Sequence, residues 1–425
     1  MLGDVLIIPG TLMLYTREEA EEFIKENDVK FIRLAFCDVF GNLKNISIQP
    51  SELSTAFDVG IAVDSSNIRG FENCGHSDIF LVPDASTMSL LPWRPSHGRV
   101  VRFFCSVKTA DGNALECDSR RILSNASKKL LERGILCSFG AQCEFYLFKT
   151  DDNGNITDLP FDNGSYLDVA PQDRCENIRR EICLTLEEMG IMPETSHHEA
   201  GPGQNEIDFK RSNPLSSADN VTTLKSVVST VAFNNGIHAD FSPKPLPNCP
   251  GSSFQINVSL KKATGGFDQK LFESFMAGVL AHVSESTLFL NPSPNSFKRL
   301  GHMKAPKYIT WANCDRSQLV RVPTQPRNMH KSFELRSPDC FSNPYIAYAL
   351  IIYAGLEGVE KEMSLPHCAP DNLHTLSDEM LKNLPKLPEN PITACECASN
   401  SEFIKTYLPK EITEAYIENM NNSTL

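Results

Sequence analysis

A chain of 425 residues, 41% hydrophobic and 22% charged, is long enough for two domains and has a globular composition. Its net charge of −13 excludes nucleic acid and anionic membrane as main partners. The 14 cysteines are scattered without a C-x-x-C pair, which excludes zinc ribbons and points to buried, reduced thiols in a cytoplasmic protein.

The opening stretch, Leu2 to Tyr15, is apolar but carries Asp4, Pro9 and Gly10 and no basic flank. It predicts neither a signal peptide nor a membrane span. Residues 16–29 predict an N-capped helix with an acidic first turn. Strands are expected from Val29 to Phe36 and Leu43 to Ile48, around the turn Asp38-Val-Phe-Gly41-Asn42, and again at Asp78–Asp84 and Arg99–Cys105. Asp64 lies between them in a loop of small residues. These elements make a small β domain over residues 1–105.

From residue 106 to 425 the elements lengthen. Helices are expected over Ser119–Gly134, Asp173–Gly190, Asn220–Gly236, Gln269–Leu290 and Asn343–Glu362. Strands are expected over Cys137–Phe148, on both sides of the Gly201-Pro-Gly203 turn, over Ser253–Leu260 and over Ser332–Ser337. A polar, proline-punctuated tail ends the chain.

Several of these strands alternate a polar with an apolar row. Gln142 and Glu144 face away from Ala141, Cys143 and Phe145, and Glu206 and Asp208 face away from Ile207 and Phe209. Helices must cover the apolar side. The other side then forms a concave polar wall carrying Gln142, Glu144, Glu199, Glu206, Gln255, Asn257, Ser259, Glu334 and Arg336. Carboxylates suit hard divalent cations, and Arg299, Arg316, Arg321 and Arg336 suit phosphate. Together they point to phosphoryl transfer, which needs charge neutralisation and positioning. No G-x-x-x-x-G-K-[ST] loop is present, so a nucleotide site here is of another type. His197 and His198 point to opposite faces of a strand; at least one is a packed core histidine, and neither is assigned as a ligand.

Asp64-Ser-Ser-Asn-Ile-Arg-Gly-Phe71, Ser196-His-His-Glu199, Gly203-Gln-Asn-Glu206-Ile-Asp-Phe209, Pro243-Lys-Pro245, Asn295-Ser-Phe-Lys-Arg-Leu300 and Arg336-Ser-Pro-Asp339 with Asn343-Pro-Tyr345 resemble class I glutamine synthetase of the bacterial type, in order along essentially the whole chain. The resemblance implies an α+β fold: a small N-terminal β-grasp domain, then a large α/β catalytic domain whose curved antiparallel sheet forms an open funnel. It implies ligation of ammonia to glutamate with ATP, through γ-glutamyl phosphate, using Mg²⁺ or Mn²⁺. It also implies homo-hexamers or dodecamers with active sites shared between subunits. The ending at Tyr416–Leu425 reads as too short to grip a second ring, so a hexamer is the expectation.

Carried over by position, Glu144, Glu199 and Glu206 match the first metal site, and Glu334 matches one ligand of the second. Arg299 and Arg336 match glutamate contacts, with Gly251 in the substrate loop; Arg316 and Arg321 match phosphate contacts. Asn257 and Ser259 match positions beside the nucleotide, and Asp64 matches an aspartate that a neighbouring subunit donates to bind ammonium. Four positions depart from the family. Gln142 and Gln255 replace a glutamate and a histidine of the second metal site, Lys304 replaces the flap glutamate that takes ammonium's proton, and Ser332 replaces a phosphate-contacting arginine. The expectations are an ATP-dependent glutamate–ammonia ligase of reduced activity, a γ-glutamyl ligase for another amine, or a non-catalytic relative that binds ligand or partner subunits.

Overall fold

The computed structural model describes residues 15–72, 75–94, 97–324, 331–369 and 372–422. The apolar stretch from Leu2 to Leu14 and the end of the tail after Asn422 lie outside the described residues.

Thr16 caps α1 (Arg17–Glu26): its hydroxyl accepts the Glu19 N–H, and the Glu19 carboxylate accepts the Thr16 N–H. β1 (Val29–Cys37) and β2 (Leu43–Ile48) follow as a hairpin whose turn is held by the Asp38 carboxylate, acceptor for the N–H groups of Phe40 and Asn42. After α2 (Leu53–Asp58) come β3 (Ile61–Asp64), β4 (Asp78–Pro83), β5 (Ser89–Leu90) and β6 (Arg99–Thr109). They complete a β-grasp sheet of order β2-β1-β6-β4-β3, with β1 and β6 parallel and β5 attached to β6. The last strand runs past the expected boundary at residue 105 as far as Thr109.

α3 (Ser119–Glu132) leads into β7 (Ile135–Thr150), the axis of the second sheet. In chain order follow β8 (Ile156–Pro160), α4 (Glu176–Glu188), β9 (Pro193–His198), β10 (Gln204–Ser212), α5 (Pro214–Asn234), β11 (Ile237–Asp240) and β12 (Phe254–Lys262). Then come α6 (Gln269–Leu290), α7 (Pro294–Arg299), β13 (Trp311–Asn313), β14 (Val320–Val322), β15 (Ser332–Leu335) and α8 (Pro344–Glu360). The nine strands run β13-β14-β15-β12-β7-β10-β9, with β8 and β11 also paired to β7, and every pair but β13–β14 is antiparallel. The apolar row predicted from alternation is buried: Cys143, Phe145, Ile207, Phe254, Ile256 and Val258 have no exposed surface.

Two helices start elsewhere than expected. α5 begins at Pro214 because Asn213 caps it and proline suits the first turn, which the polar run before Asn220 conceals. α4 begins only at Glu176, since the Asp173 carboxylate is taken by the Cys175 N–H and the Arg179 guanidinium. The tail, to which the sequence pattern assigns no elements, forms α9 (Asp378–Leu381), α10 (Pro391–Asn400), α11 (Glu402–Tyr407) and α12 (Lys410–Asn422). Asn390 and Ser401 cap two of them, and Phe403, Ile404, Ile412, Tyr416 and Met420 are buried. No helix among the described residues is long and apolar enough to cross a membrane.

Helices α6 and α8 touch through glycine. A Cβ on Gly278 would sit 2.1 Å from the Ala354 carbonyl oxygen, and one on Gly358 would sit 2.1 Å from that of Ser274. Backbone leaves no side chain to yield, so Gly278→Val must push the helices apart. The expected cost is about 1–3 kcal/mol, read as a lower midpoint of denaturant unfolding. An unchanged midpoint would show that the helices separate freely.

Candidate active site

Strand register decides which polar side chains meet on the concave face. Glu206 lies opposite Glu144 on β7 and opposite His197 on β9. One step along, Asp208 lies opposite Gln142, and Gln142 opposite Gln255. Farther on, Asn257 lies between Gly140 and Glu334. These strands and the segment after α7 wall a cavity of about 490 Å³. The structure brings Gln142, Glu144, Glu199, Glu206, Gly251, Gln255, Asn257, Arg299, Lys304, Arg316, Arg321, Glu334 and Arg336 to its lining. It does not bring Asp64, which is exposed at the end of β3 and hydrogen-bonded to Ser66 and Asn67. Ser259 and Ser332 are buried behind the lining.

Glu144 and Glu206 are like charges set directly across two strands, an arrangement that destabilises a sheet unless it is neutralised. Glu144 accepts four hydrogen bonds: from the Ser253 N–H (2.9 Å) and hydroxyl (2.7 Å), and from the Gln204 (3.1 Å) and Gln255 (3.3 Å) amides. Burial, then the charge of Glu199, pushes its carboxyl above the usual range. Burial pushes Glu206 well up too, and the charges of Glu144, Asp208, Glu199 and Glu334 push it further. His197 Nε2 stands 3.6 Å from Glu206 and its Nδ1 3.9 Å from Glu199, and one donor atom from each of the three lies within 4.8 Å of the others. The Nδ1 atom is buried without a hydrogen-bond partner. An orphaned imidazole nitrogen beside two crowded carboxylates fits a divalent cation. The sequence grouping had Glu144 in this set and His197 outside it. The available signal was strand period, since His197 and Glu199 are two residues apart.

The residues matched to a second metal are engaged with one another and with protein cations instead. Glu334 pairs with Arg321 (2.7 Å) through one oxygen and with Arg336 through the other. Arg336 also donates to the Gln255 carbonyl (3.0 Å), while the Gln142 amide donates to Asp208 (3.1 Å). Arg299 is buried and gives its guanidinium to the carbonyls of Ser337 (2.7 Å) and Arg336 (3.1 Å); burial lowers its pKa. It braces the turn that carries Arg336. Gly251 must lack a side chain, because a Cβ there would sit 2.4 Å from the Pro243 carbonyl oxygen and 2.8 Å from Arg299. Arg316 is exposed. On the segment after α7, the Lys304 ammonium lies 5.3 Å from the centre of the Tyr166 ring, which meets His197 edge-on at 5.6 Å. Sequence reading gave Tyr166 no role.

A second group of possible ligands, Asp162, Asp173, Cys175 and His198, is wholly buried. Its hydrogen bonds are already satisfied. His198 Nδ1 faces the Glu199 carbonyl (2.6 Å) and Nε2 faces Asp162 (2.9 Å), so both ring nitrogens donate and the ring is a cation. Asp162 also accepts the N–H groups of Gly164, Gly203 and Arg174. His198 is thus the packed core histidine, part of a buried ion pair that fixes the turn beneath Glu199. Burial is the largest influence and alone would lower its pKa, but the hydrogen bonds to Asp162 and to the Glu199 carbonyl, with the charges of Asp162 and Asp173, together outweigh it and raise it. A raised folded pKa stabilises below the unfolded value near 6.5 and is lost as pH climbs through the folded value. The gap in thermal midpoint between wild type and His198→Gln should therefore narrow from pH 6 to pH 9. A constant gap would mean that the ring does not titrate. Asp162→Ala, which strands the cation, should cost about 3–5 kcal/mol.

Known proteins agree with this architecture. A family model described as the catalytic domain of glutamine synthetase matches residues 116–423, and one described as its beta-Grasp domain matches residues 28–110. The glutamine synthetase of Clostridium saccharobutylicum is 39% identical over 416 residues, 95% of this chain and 94% of that one. That of Methanosarcina mazei is 40% identical over 415 residues, 95% and 92% of the two chains. Among solved structures, a complex of GmaS with ADP superimposes with a TM-score of 0.85 at 23% identity, covering 95% of each chain, and shares the fold.

Proposed function

The chain belongs to the glutamine synthetase family, and from that premise we propose that it is a slow ATP-dependent ligase holding one divalent cation tightly per site. Its substrates are glutamate, ammonia and ATP, joined through γ-glutamyl phosphate. One observation carries the reading: a single cavity holds a cation-binding end, His197, Glu199 and Glu206, and a guanidinium end, Arg321 and Arg336. Bound at the first end, Mg²⁺ or Mn²⁺ supplies charge neutralisation to a transferring phosphate. Arg321 and Arg336 face phosphate and carboxylate oxygens, with Arg316 above them, while Arg299 positions Arg336. Asn257 and Ser259 lie on the nucleotide side. Asp64, exposed and away from its own cavity, suits a neighbour's, so the working form is a ring of subunits.

Slowness follows from two features. Glu334 must release Arg321 and Arg336 before they can grip phosphate, so part of their charge is already spent in the resting protein. Lys304 cannot take a proton from ammonium while it is charged, and it repels that cation. A second reading, a γ-glutamyl ligase for another amine, is favoured by the Lys304–Tyr166 contact. It puts a fixed ammonium over an aromatic ring beside the metal end, a surface that suits a neutral amine rather than an ammonium ion.

The test is phosphate release and product formation with a panel of amines. Wild type should form glutamine slowly, and Gln142→Glu with Gln255→His and Lys304→Glu should gain orders of magnitude, each tenfold being about 1.4 kcal/mol of barrier. Single replacements should gain little, because groups acting as a unit are non-additive. Fast glutamine formation by wild type would remove the slow reading, and faster turnover with another amine would select the second. No phosphate release by either protein would leave a binding protein. Manganese titration should find one tight site per chain, weakened at least tenfold by Glu206→Gln; two equal sites would contradict the arginine-clamped Glu334. Light scattering should detect a ring, and a monomer would leave Asp64 without its role.

A further inference from the structure

We propose that Tyr146 is a positioning residue for the acid substrate, its hydroxyl turning the Pro250–Gly251 peptide so that the Gly251 N–H meets a carboxylate of glutamate; the assignment rests on the ligase reading above. Tyr146 follows Glu144 by two residues on β7 and shares its face, and strand register sets it opposite Gln204 on β10. It lies behind the cavity lining with no exposed surface. A hydroxyl buried there costs free energy unless it is hydrogen-bonded. This one donates to the Pro250 carbonyl (2.6 Å), with the side-chain carbonyl of Gln204 at 3.2 Å. A Cβ on Gly201, in the turn after Glu199, would sit 2.1 Å from the same hydroxyl. Tyr146 is thus wedged between the turn at the cation-binding end and the loop that leads into β12.

That bond decides which way the peptide faces. The Pro250–Gly251 bond is trans, so its carbonyl and its N–H point in opposite directions. With the carbonyl turned back to Tyr146, the Gly251 N–H is turned toward the cavity that Pro250 and Gly251 line. Among the described residues it has no hydrogen-bond partner. Gln204 steadies the same residue, its amide donating to the Gly251 carbonyl (3.3 Å) and to Glu144 (3.1 Å). The missing side chain lets Gly251 lie against Arg299, which donates to the Arg336 carbonyl (3.1 Å). Arg336 is buried, and its Nε also lacks a partner, since Glu334 and Gln255 engage Nη1. Two unpaired donors, a backbone N–H and a guanidinium N–H, therefore belong to residues that line one cavity and touch Arg299. A carboxylate brings an oxygen for each. Burial pushes the Tyr146 phenol well above its usual pKa, so it stays a donor throughout the working pH range.

Calorimetric titration of the full-length, Mn²⁺-loaded protein with glutamate tests this, comparing wild type with Tyr146→Phe, which removes the hydroxyl and keeps the ring. Loss of one hydrogen bond corresponds to about threefold to tenfold in affinity. The Kd for glutamate should therefore rise at least threefold and the KM for glutamate with it, while kcat stays within twofold. Binding of Mn²⁺ and of ATP, titrated in the same way, should also stay within twofold. A merely structural role would move them, because the same hydroxyl abuts the turn at the cation-binding end. A Kd for glutamate raised less than threefold would overturn the assignment while leaving the ligase reading intact. Weakening of Mn²⁺ or ATP as large as that of glutamate would also overturn it, by showing that the substitution disturbs the site as a whole. Failure of wild type to bind glutamate would overturn both.

Discussion

Glu144 and Glu206 meet across adjacent strands, with Glu199, Asp208 and Glu334 close enough to add their charge. Unit charges a few ångströms apart interact by several kcal/mol at the effective dielectric of a partly buried site, so a sheet carrying this row cannot stand without neutralisation. The fold answers with a separate device for each acid. Serine and carboxamide donors surround Glu144, two guanidiniums clamp Glu334, and an amide and the Thr195 hydroxyl hold Asp208. Glu199 and Glu206, beside an unsatisfied imidazole nitrogen, are the part of the row that the proposed cation would neutralise. The buried His198–Asp162 pair beneath them holds the turn, so that their spacing does not depend on that cation.

Gln142 and Gln255 take part in this neutralisation. Each carboxamide donates to a neighbouring acid, Gln142 to Asp208 and Gln255 to Glu144, and Gln255 also accepts from Arg336. A carboxylate at either position would need a metal to be tolerated there, whereas a carboxamide needs none. In the slow ligase proposed above, the cost would fall on catalysis. Electrostatic stabilisation speeds a reaction when charges are preorganised for the transition state; guanidiniums already paired with Glu334 must first give up that partner.

The polar wall was legible because strand period fixes the face of each side chain once the strands are placed, and Gln142, Glu144, Glu206, Gln255 and Asn257 all reach the cavity. What period cannot show is a change of register such as the one between Phe209 and Ser212, beyond which alternation no longer fixes the face of Arg211. Nor can it show which atoms are already satisfied: Glu144, matched to the first metal site by the resemblance, accepts four hydrogen bonds, while His197 Nδ1 has no partner. The helices of the tail carry no expectation from the sequence, being short and punctuated by proline, yet Pro391 sits in a first turn where its missing N–H costs nothing. Asp64 came from the resemblance alone; a single chain leaves it outside the cavity it was matched to.

The two sheets are joined where that residue matters. The Asn343 side chain caps α8 and donates to the Val39 carbonyl in the β1–β2 turn (3.0 Å), and a Cβ on Gly41 in that turn would come within 2.9 Å of the Asn343 backbone. Tyr416 from α12 donates to the same carbonyl (2.9 Å), which seals the turn with the tail. On its other side Val39 packs so closely on Gly70 that a Cβ there would overlap it at 2.0 Å. The loop after Asp64 and the loop between Arg336 and Asn343 are therefore pressed against one turn, with backbone and small residues at each contact. Dense packing without flexible side chains transmits displacement rather than absorbing it. A displacement of the Asp64 loop would thus reach, through Val39, the loop that carries Asn343.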